Sequence, residues 1–191
     1  MTTTDLNEEE PTRRDFIHIM AGAVAAAGGA VTLWPLIHQM NPDASVLALA
    51  TIDVDLGPVA EGQAIKVMWQ GKPVFIRHRT AVEIQETEQL PMALVKDGAA
   101  RNDNLPSGAD ATDENRRFDA KWMVVVGVCT HLGCIPLGTE QGENRGDYNG
   151  WFCPCHGSHY DLAGRIIKGP APENLPIPPY EFMSETTIKI G

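Results

Sequence analysis

Residues 129–134 read CTHLGC, and residues 153–160 read CPCHGSHY. These two boxes hold all four cysteines of the 191-residue chain and three of its six histidines. One box contains Cys-x-His and the other Cys-x-x-His, so each offers one thiolate and one imidazole beside a further cysteine. Two thiolates and two imidazoles suit either a tetrahedral zinc ion or a [2Fe–2S] cluster. The sequence therefore predicts a metal centre held between two loops.

The distribution of ligands between the boxes favours the cluster. Zinc fingers usually pair Cys with Cys and His with His, whereas each box here supplies one of each. A two-iron cluster can take both cysteines on one iron and both histidines on the other. A structural zinc module in a binding protein is the alternative, and metal analysis or colour would distinguish it because zinc sites are colourless.

Two cysteines, Cys134 and Cys155, remain beside the candidate ligands, one in each box. A disulfide between them would lock the two loops together, which requires an oxidising compartment. Two free thiols are the alternative.

Both boxes resemble, at every motif position, those of the Rieske iron–sulfur protein of bacterial quinol–cytochrome c reductase complexes. Residues 169–172, GPAP, are similar to the proline-rich loop beside the cluster in that family. The resemblance extends to the N-terminal segment, so it covers most of the chain. It is weakest across residues 80–120.

The resemblance implies a role for each motif residue. Four residues are expected to bind one [2Fe–2S] cluster: Cys129 and Cys153 on the inner iron, His131 and His156 on the outer iron near solvent. The implied disulfide joins Cys134 to Cys155. Two hydroxyl residues are expected to donate hydrogen bonds to a cluster sulfide and a ligand sulfur: Ser158 and Tyr160. Four residues are expected to shield the cluster and contact a partner: Leu132, Gly133, Gly169 and Pro170. His159, which lies outside the completed ligand spacing, is expected not to bind metal.

The resemblance also implies a function in electron transfer. The chain is expected to be a subunit of a membrane quinol–cytochrome c oxidoreductase, without catalytic activity alone. It would accept an electron from ubiquinol, with a proton taken at His156, and pass the electron to a c-type cytochrome. The implied partners are that cytochrome, a cytochrome b subunit and membrane lipid, in a dimeric complex.

An export signal and a membrane anchor are predicted at the N-terminus. Residues 12–16, TRRDF, directly precede an apolar run and are typical of a twin-arginine signal. A chance arginine pair beside a membrane helix is the alternative. Residues 16–37 contain no Asp, Glu, Lys or Arg, and as a helix of about 33 Å they would span a bilayer core of about 30 Å. No Lys or Arg follows until Lys66, so the N-terminus is expected in the cytoplasm and the head in the periplasm of a bacterial inner membrane.

These patterns divide the chain into four parts: a cytoplasmic N-terminus at 1–15, an anchor at 16–38, a flexible hinge at 39–50 and a periplasmic domain at 51–191. Residues 48–50 read ALA, a pattern that signal peptidase cleaves, so a cleaved signal is the alternative. The apolar run is longer than the usual signal core, which favours the anchor.

The domain at 51–191 is expected to be an antiparallel β-sandwich. Short alternating and β-branched runs separated by Gly and Pro turns favour this fold. A small cluster-binding subdomain is expected at about residues 127–173. Residues 80–120 break the pattern and are expected to form a peripheral insertion, in which residues 81–95 could form a short helix and to which no function is assigned. His78 is expected to be exposed and not a ligand.

The composition excludes one class of partner and leaves others open. The net charge is −10 and the pI about 4.9, without a basic patch for nucleic acid. An acidic surface suits a basic partner such as many c-type cytochromes. Two further classes of protein are alternatives. The exported small subunit of a molybdenum oxidase, such as arsenite oxidase, shares the twin-arginine signal and the disulfide, whereas a Rieske ferredoxin or oxygenase domain lacks the extra cysteine pair and the anchor.

Overall fold

The computed structural model describes residues 12–44, 46 and 50–191. Most of the predicted cytoplasmic N-terminus, part of the predicted hinge and two residues of the A-x-A pattern lie outside the described residues. The chain divides into two units, residues 1–47 and residues 48–191. Each unit is considered by itself.

Helix α1 (Arg13–His38) has 26 residues and makes up most of the described part of the first unit. It begins with a capping box: the Thr12 hydroxyl accepts a hydrogen bond from the Asp15 amide, and the Asp15 carboxylate accepts one from the Thr12 amide. The two arginines of the predicted export signal lie in its first turn. Its length, about 39 Å, and its mean hydropathy of 1.8 over an 18-residue window are sufficient for a membrane span.

The second unit is mainly antiparallel β-structure, as predicted. Within the described residues it contains three three-stranded sheets, with strand orders β1-β9-β8, β2-β3-β4 and β5-β6-β7. The strands are β1 (Ile52–Asp55), β2 (Ala64–Trp69), β3 (Lys72–His78), β4 (Trp122–Val126), β5 (Asn149–Cys153), β6 (Ser158–Asp161), β7 (Ile166–Lys168), β8 (Tyr180–Ser184) and β9 (Thr187–Ile190). Helix α2 (Ala81–Gln89) and two 3₁₀ turns (Met92–Leu94 and Glu114–Arg116) lie between β3 and β4.

A tight hairpin starts the central sheet. Strands β2 and β3 are joined by Gln70 and Gly71, whose φ angles of 48° and 74° give the turn that matches strand twist. Strand β3 lies between β2 and β4, and all five residues of β4 are buried. This sheet supplies much of the core, and the first cysteine box follows β4 directly.

The second box is the turn of another hairpin. Strand β5 ends at Cys153, which pairs with Ser158 at the start of β6. A bridge between Leu137 and Phe152 joins the chain after the first box to β5. The first box therefore follows β4, the second lies between β5 and β6, and the Leu137–Phe152 bridge joins the chain between them to β5.

The segment at residues 80–120, expected to be a peripheral insertion, forms buried hydrogen bonds with residues 163–175. Arg116, which is fully buried, donates hydrogen bonds to the carbonyl oxygens of Ala100, Ala163 and Leu175. Arg165 in turn donates to the carbonyls of Thr87 and Ala111 in the segment. The insertion therefore packs against the β6–β7 region through main-chain carbonyls.

The expectation that His78 is exposed is wrong. Its ring is half-buried and stacks on Trp122 with a centroid separation of 4.2 Å. Its Nδ1 lies 3.0 Å from the carbonyl oxygen of Val59. The alternation of β3 does not reveal this environment, because the stacking partner comes from the neighbouring strand β4.

Candidate metal centre

Each box closes on itself through backbone hydrogen bonds. In the first, the Cys129 amide donates to the Cys134 carbonyl at 2.7 Å, and the Gly133 amide donates to the Cys129 carbonyl at 2.9 Å. In the second, the Gly157 amide donates to the Cys153 carbonyl at 3.0 Å. Both glycines have positive φ, 81° and 73°, a conformation that other residues adopt at a cost.

A disulfide joins the two boxes, as the resemblance implied. Cys134 and Cys155 are bonded, with their Cα atoms 6.8 Å apart. The other two cysteines, Cys129 and Cys153, carry free thiols and are 1% and 2% exposed. The disulfide therefore holds together two loops that each bury one thiol.

The surroundings of the free thiol of Cys153 favour its neutral form. Burial raises the pKa of Cys153, and the neighbouring Cys129 thiol raises it further. A metal ion reverses this preference because it stabilises the thiolate. The sulfurs of Cys134, Cys153 and Cys155 lie within 4.8 Å of one another, but two of the three are in the disulfide. Cys129 and Cys153 are thus the available thiolate ligands.

Two of the three histidines in the boxes lie next to each other, with their rings edge to face. The rings of His131 and His156 have centroids 4.6 Å apart and planes at 87°. His131 Nδ1 is buried without a hydrogen-bond partner, an arrangement that costs about 1–3 kcal/mol unless the atom is satisfied. A metal ion would satisfy it, since neutral imidazole nitrogen is a common metal ligand. His156 is exposed. The residues present therefore fit an iron–sulfur cluster.

Tyr160 lies against a free thiol. It is fully buried, and its Oη lies 3.3 Å from Cys129 Sγ. The same oxygen accepts a hydrogen bond from the Thr130 amide at 3.3 Å. Burial, with the contact to Cys129, raises the pKa of Tyr160 well above its usual range. The phenol therefore keeps its proton and can donate a hydrogen bond to the sulfur.

Ser158 joins the second box to the proline-rich loop. It is 1% exposed, and its Oγ accepts a hydrogen bond from the Ala171 amide at 3.2 Å. Gly169 has φ 101°, and a Cβ there would lie 2.4 Å from the Gly157 carbonyl oxygen. Only glycine permits this approach, so the loop backbone packs directly on the second box.

Three further predicted site residues lie at the surface. Leu132 is 70% exposed, and Gly133 and Pro170 are also exposed. Ile135, which the sequence analysis did not single out, is 52% exposed just beyond the same box. The sequence signal that could have identified Ile135 is its position directly after the first box. His159 accepts a hydrogen bond at Nδ1 from the Asp147 amide at 3.0 Å.

Thr130 was missed, although it stands between two predicted ligands in the first box. Its hydroxyl donates to the Glu173 carbonyl at 2.7 Å and accepts from the Glu173 amide at 3.3 Å. Sequence patterns carry no signal for a contact between residues so far apart. Thr130 thus connects the first box to the residues that follow the proline-rich loop.

Two family models match this chain. Residues 59–180 match the Rieske [2Fe–2S] domain family, and residues 3–43 match a family described as "Ubiquitinol-cytochrome C reductase Fe-S subunit TAT signal". The chain therefore belongs to the Rieske [2Fe–2S] family, as the resemblance indicated, and the predicted cofactor is confirmed.

Three relatives have the same name, ubiquinol–cytochrome c reductase iron–sulfur subunit. The one from Rhodospirillum rubrum is 54% identical and aligns over 95% of this chain and 93% of its own length. The one from Bradyrhizobium diazoefficiens is 52% identical over 99% of both chains. The one from Cereibacter sphaeroides is 55% identical over 94% of this chain and 95% of its own.

Proposed function

We propose that the protein carries electrons from ubiquinol to the c-type cytochrome of a ubiquinol–cytochrome c reductase. The observation that supports this most strongly is the joined pair of boxes, with two buried thiols and two adjacent histidines. The names of relatives at 52–55% identity over nearly the whole chain support the particular reductase. The chain acts as a subunit and is not catalytic alone.

The ligands of the cluster are assigned from burial. Cys129 and Cys153, at 1% and 2% exposed, would hold the inner iron. His131 and His156 would hold the outer iron, because His156 is exposed and the two rings are adjacent. Leu132, Gly133, Gly169 and Pro170 form the rim that shields the centre and contacts the partner.

The ligand set fits an electron acceptor for quinol. When bound, the cluster supplies one-electron chemistry at about −150 to +300 mV, against about −400 mV for plant-type ferredoxins, because two neutral imidazoles replace two thiolates. Tyr160 and Ser158 stabilise added negative charge by donating hydrogen bonds toward it. In the form of His156 that has lost the proton of its other ring nitrogen, that nitrogen would accept a hydrogen bond from the quinol hydroxyl and take its proton.

Proton uptake at a ligand histidine predicts a potential that depends on pH. Where the histidine is deprotonated in the oxidised state, reduction takes up a proton, so the midpoint potential falls by up to about 59 mV per pH unit. Redox titration of the purified complex between pH 6 and 10 measures this. A flat potential over the whole range would rule out coupled proton uptake.

The remaining parts of the chain are assigned to anchoring and partners. Helix α1 spans the inner membrane, with the N-terminus in the cytoplasm and the head in the periplasm. The head docks on the cytochrome b subunit and on a c-type cytochrome within a dimeric complex. The acidic balance of the chain, −10 overall, suits a basic cytochrome surface.

Electron paramagnetic resonance on reduced native membranes tests the proposed function. We expect a Rieske-type signal whose line shape changes when an inhibitor occupies the quinol-oxidation site. A Rieske signal whose line shape does not change with the inhibitor would favour the oxidase-subunit alternative. Absence of any signal, in membranes shown to contain the protein, would contradict the cluster and favour zinc.

A further inference from the structure

Asp97 lies at the centre of a hydrogen-bond group that starts in the segment at 80–120. Its carboxylate accepts from Arg101 Nε at 2.9 Å, from the Asn174 amide at 3.0 Å and from the Ala99 amide at 3.1 Å. The side chain is 9% exposed. Burial alone would raise its pKa, but these hydrogen bonds together lower the pKa of Asp97, so the carboxylate is charged at neutral pH.

Asn174, the partner of Asp97, is held on both its main chain and its side chain. It is fully buried. Its Nδ2 donates to the carbonyls of Asp97 and Ala99, each at 2.8 Å, and its Oδ1 accepts from the Ile166 amide at 2.8 Å. The chain just after the proline-rich loop is therefore fixed to the segment at 80–120.

The contacts continue from residue 174 to a thiol. The preceding residue, Glu173, makes two hydrogen bonds with the Thr130 hydroxyl: its carbonyl accepts one and its amide donates the other. The Thr130 amide donates to Tyr160 Oη, which also contacts Cys129 Sγ. An unbroken series of contacts thus runs from Asp97 to a candidate ligand of the cluster. A second link reinforces it, since Arg101 also pairs with the Glu173 carboxylate at 3.1 Å.

We propose that Asp97 is a positioning residue for the cluster. It fixes residues 173 and 174, which place Thr130 and thereby hold the Tyr160 hydroxyl against the Cys129 sulfur. Without Asp97 this hydroxyl is less well placed to stabilise added negative charge, so the cluster becomes harder to reduce. The proposal rests on the proposed function only in taking Cys129 as a ligand.

The test compares midpoint potentials and EPR g values in purified full-length complex. Asp97→Ala is expected to shift the potential downward and to move the g values. Asp97→Asn, which keeps an oxygen acceptor for the Asn174 amide, is expected to shift it less. Asp103→Ala, an exposed carboxylate in the same segment, serves as the matched control and should leave both quantities unchanged.

A double variant separates positioning from simple destabilisation. Because Asp97 acts through Tyr160, adding Asp97→Ala to Tyr160→Phe should lower the potential no further. Should Asp97→Ala retain no cluster, the same comparison is made with Asp97→Asn. A lower unfolding temperature with unchanged potential and g values, or additive potential shifts, would overturn the proposal. A wild-type complex without a Rieske signal would overturn both proposals, whereas a normal wild-type signal with unshifted Asp97 variants would overturn this one alone.

Discussion

At the scale of single residues, two buried hydroxyl groups lie in the second box, and that of Tyr160 contacts the sulfur of Cys129. Tyr160 and Ser158 are 0% and 1% exposed. Hydrogen bonds in such surroundings are stronger than in water because the local dielectric is low. A hydroxyl that points at a sulfur ligand therefore affects the energy of an added electron directly.

Removing either hydroxyl should lower the midpoint potential while the cluster remains bound. A hydrogen bond to a charged group contributes about 1.5–3 kcal/mol, which corresponds to a shift of about 65–130 mV for one electron. We expect Tyr160→Phe and Ser158→Ala each to shift the potential downward and to slow quinol oxidation, as redox titration and turnover would measure. Tyr148→Phe, a half-buried tyrosine before β5, is the control. Unchanged potentials in both variants would remove the assigned role.

At the scale of structural elements, helix α2 is held by one carboxylate. Glu83 accepts from the Thr80 amide at 3.0 Å in a capping box, and pairs with Arg77 at 2.5 Å and with Arg145 at 2.9 Å. Its side chain is 11% exposed. One residue therefore ties the start of the segment at 80–120 to β3 and to the loop before β5.

The Glu83→Gln variant should be less stable at neutral pH, by about 3 kcal/mol, because it leaves two arginines without their partner. Burial opposes ionisation, but hydrogen bonds from Arg77 and Thr80 outweigh it and hold the pKa of Glu83 below its ordinary value of 4.5. Stability from this group is thus present above pH 4.5 and is lost as pH falls further. Urea unfolding at pH 7 and below pH 4 should show the difference from wild type shrink in acid. Glu86→Gln, an exposed neighbour, should behave like wild type at both.

The disulfide acts on two elements at once, since it joins the loop after β4 to the turn between β5 and β6. The bonded cysteines are 21 residues apart in sequence. Closing a loop of that length stabilises the folded state by about 3 kcal/mol. We expect the double variant Cys134→Ser with Cys155→Ser to lose that stability and to release the cluster faster, as absorbance would follow during unfolding. Equal rates of cluster loss would show that the disulfide does not secure the site.

At the scale of the whole molecule, the two units serve different environments. Helix α1 is apolar and exposed along its length, whereas residues 50–191 contain a buried core of their own. The paired arginines stand at the first turn of α1, directly before the apolar run. The membrane and export assignments therefore depend on one short stretch of sequence.

Replacing both arginines by lysine should prevent export while preserving the charge. We expect Arg13→Lys with Arg14→Lys to leave the head in the cytoplasm, where protease added to spheroplasts cannot reach it. The single variant Arg13→Lys, which keeps one of the two arginines, is compared with the double variant in the same assay. Continued protease access in the double variant would show that a twin-arginine signal is not used.

Sequence predicts the parts of this protein that local patterns encode. The cysteine boxes, the apolar helix and the β2–β3 hairpin are continuous stretches whose chemistry or periodicity is visible without the fold. The packing of the segment at 80–120 is not, because Arg116 binds main-chain carbonyls as far as 59 residues away. Every residue type offers a carbonyl, so no pattern marks the partner. Thr130 was missed for the same reason, since Glu173 contacts it through its backbone.

The bond between Asp97 and Asn174 has a consequence for the order of events during synthesis. These residues are 77 positions apart, and the first box lies between them. At about 5–20 residues per second, the ribosome adds the chain from Cys129 to Asn174 in roughly 2–9 s. Throughout that interval the first box exists without the residues that hold it. A nascent chain therefore cannot form the contacts between Thr130 and Glu173, or those between Asp97 and Asn174, until translation has passed nearly the whole head.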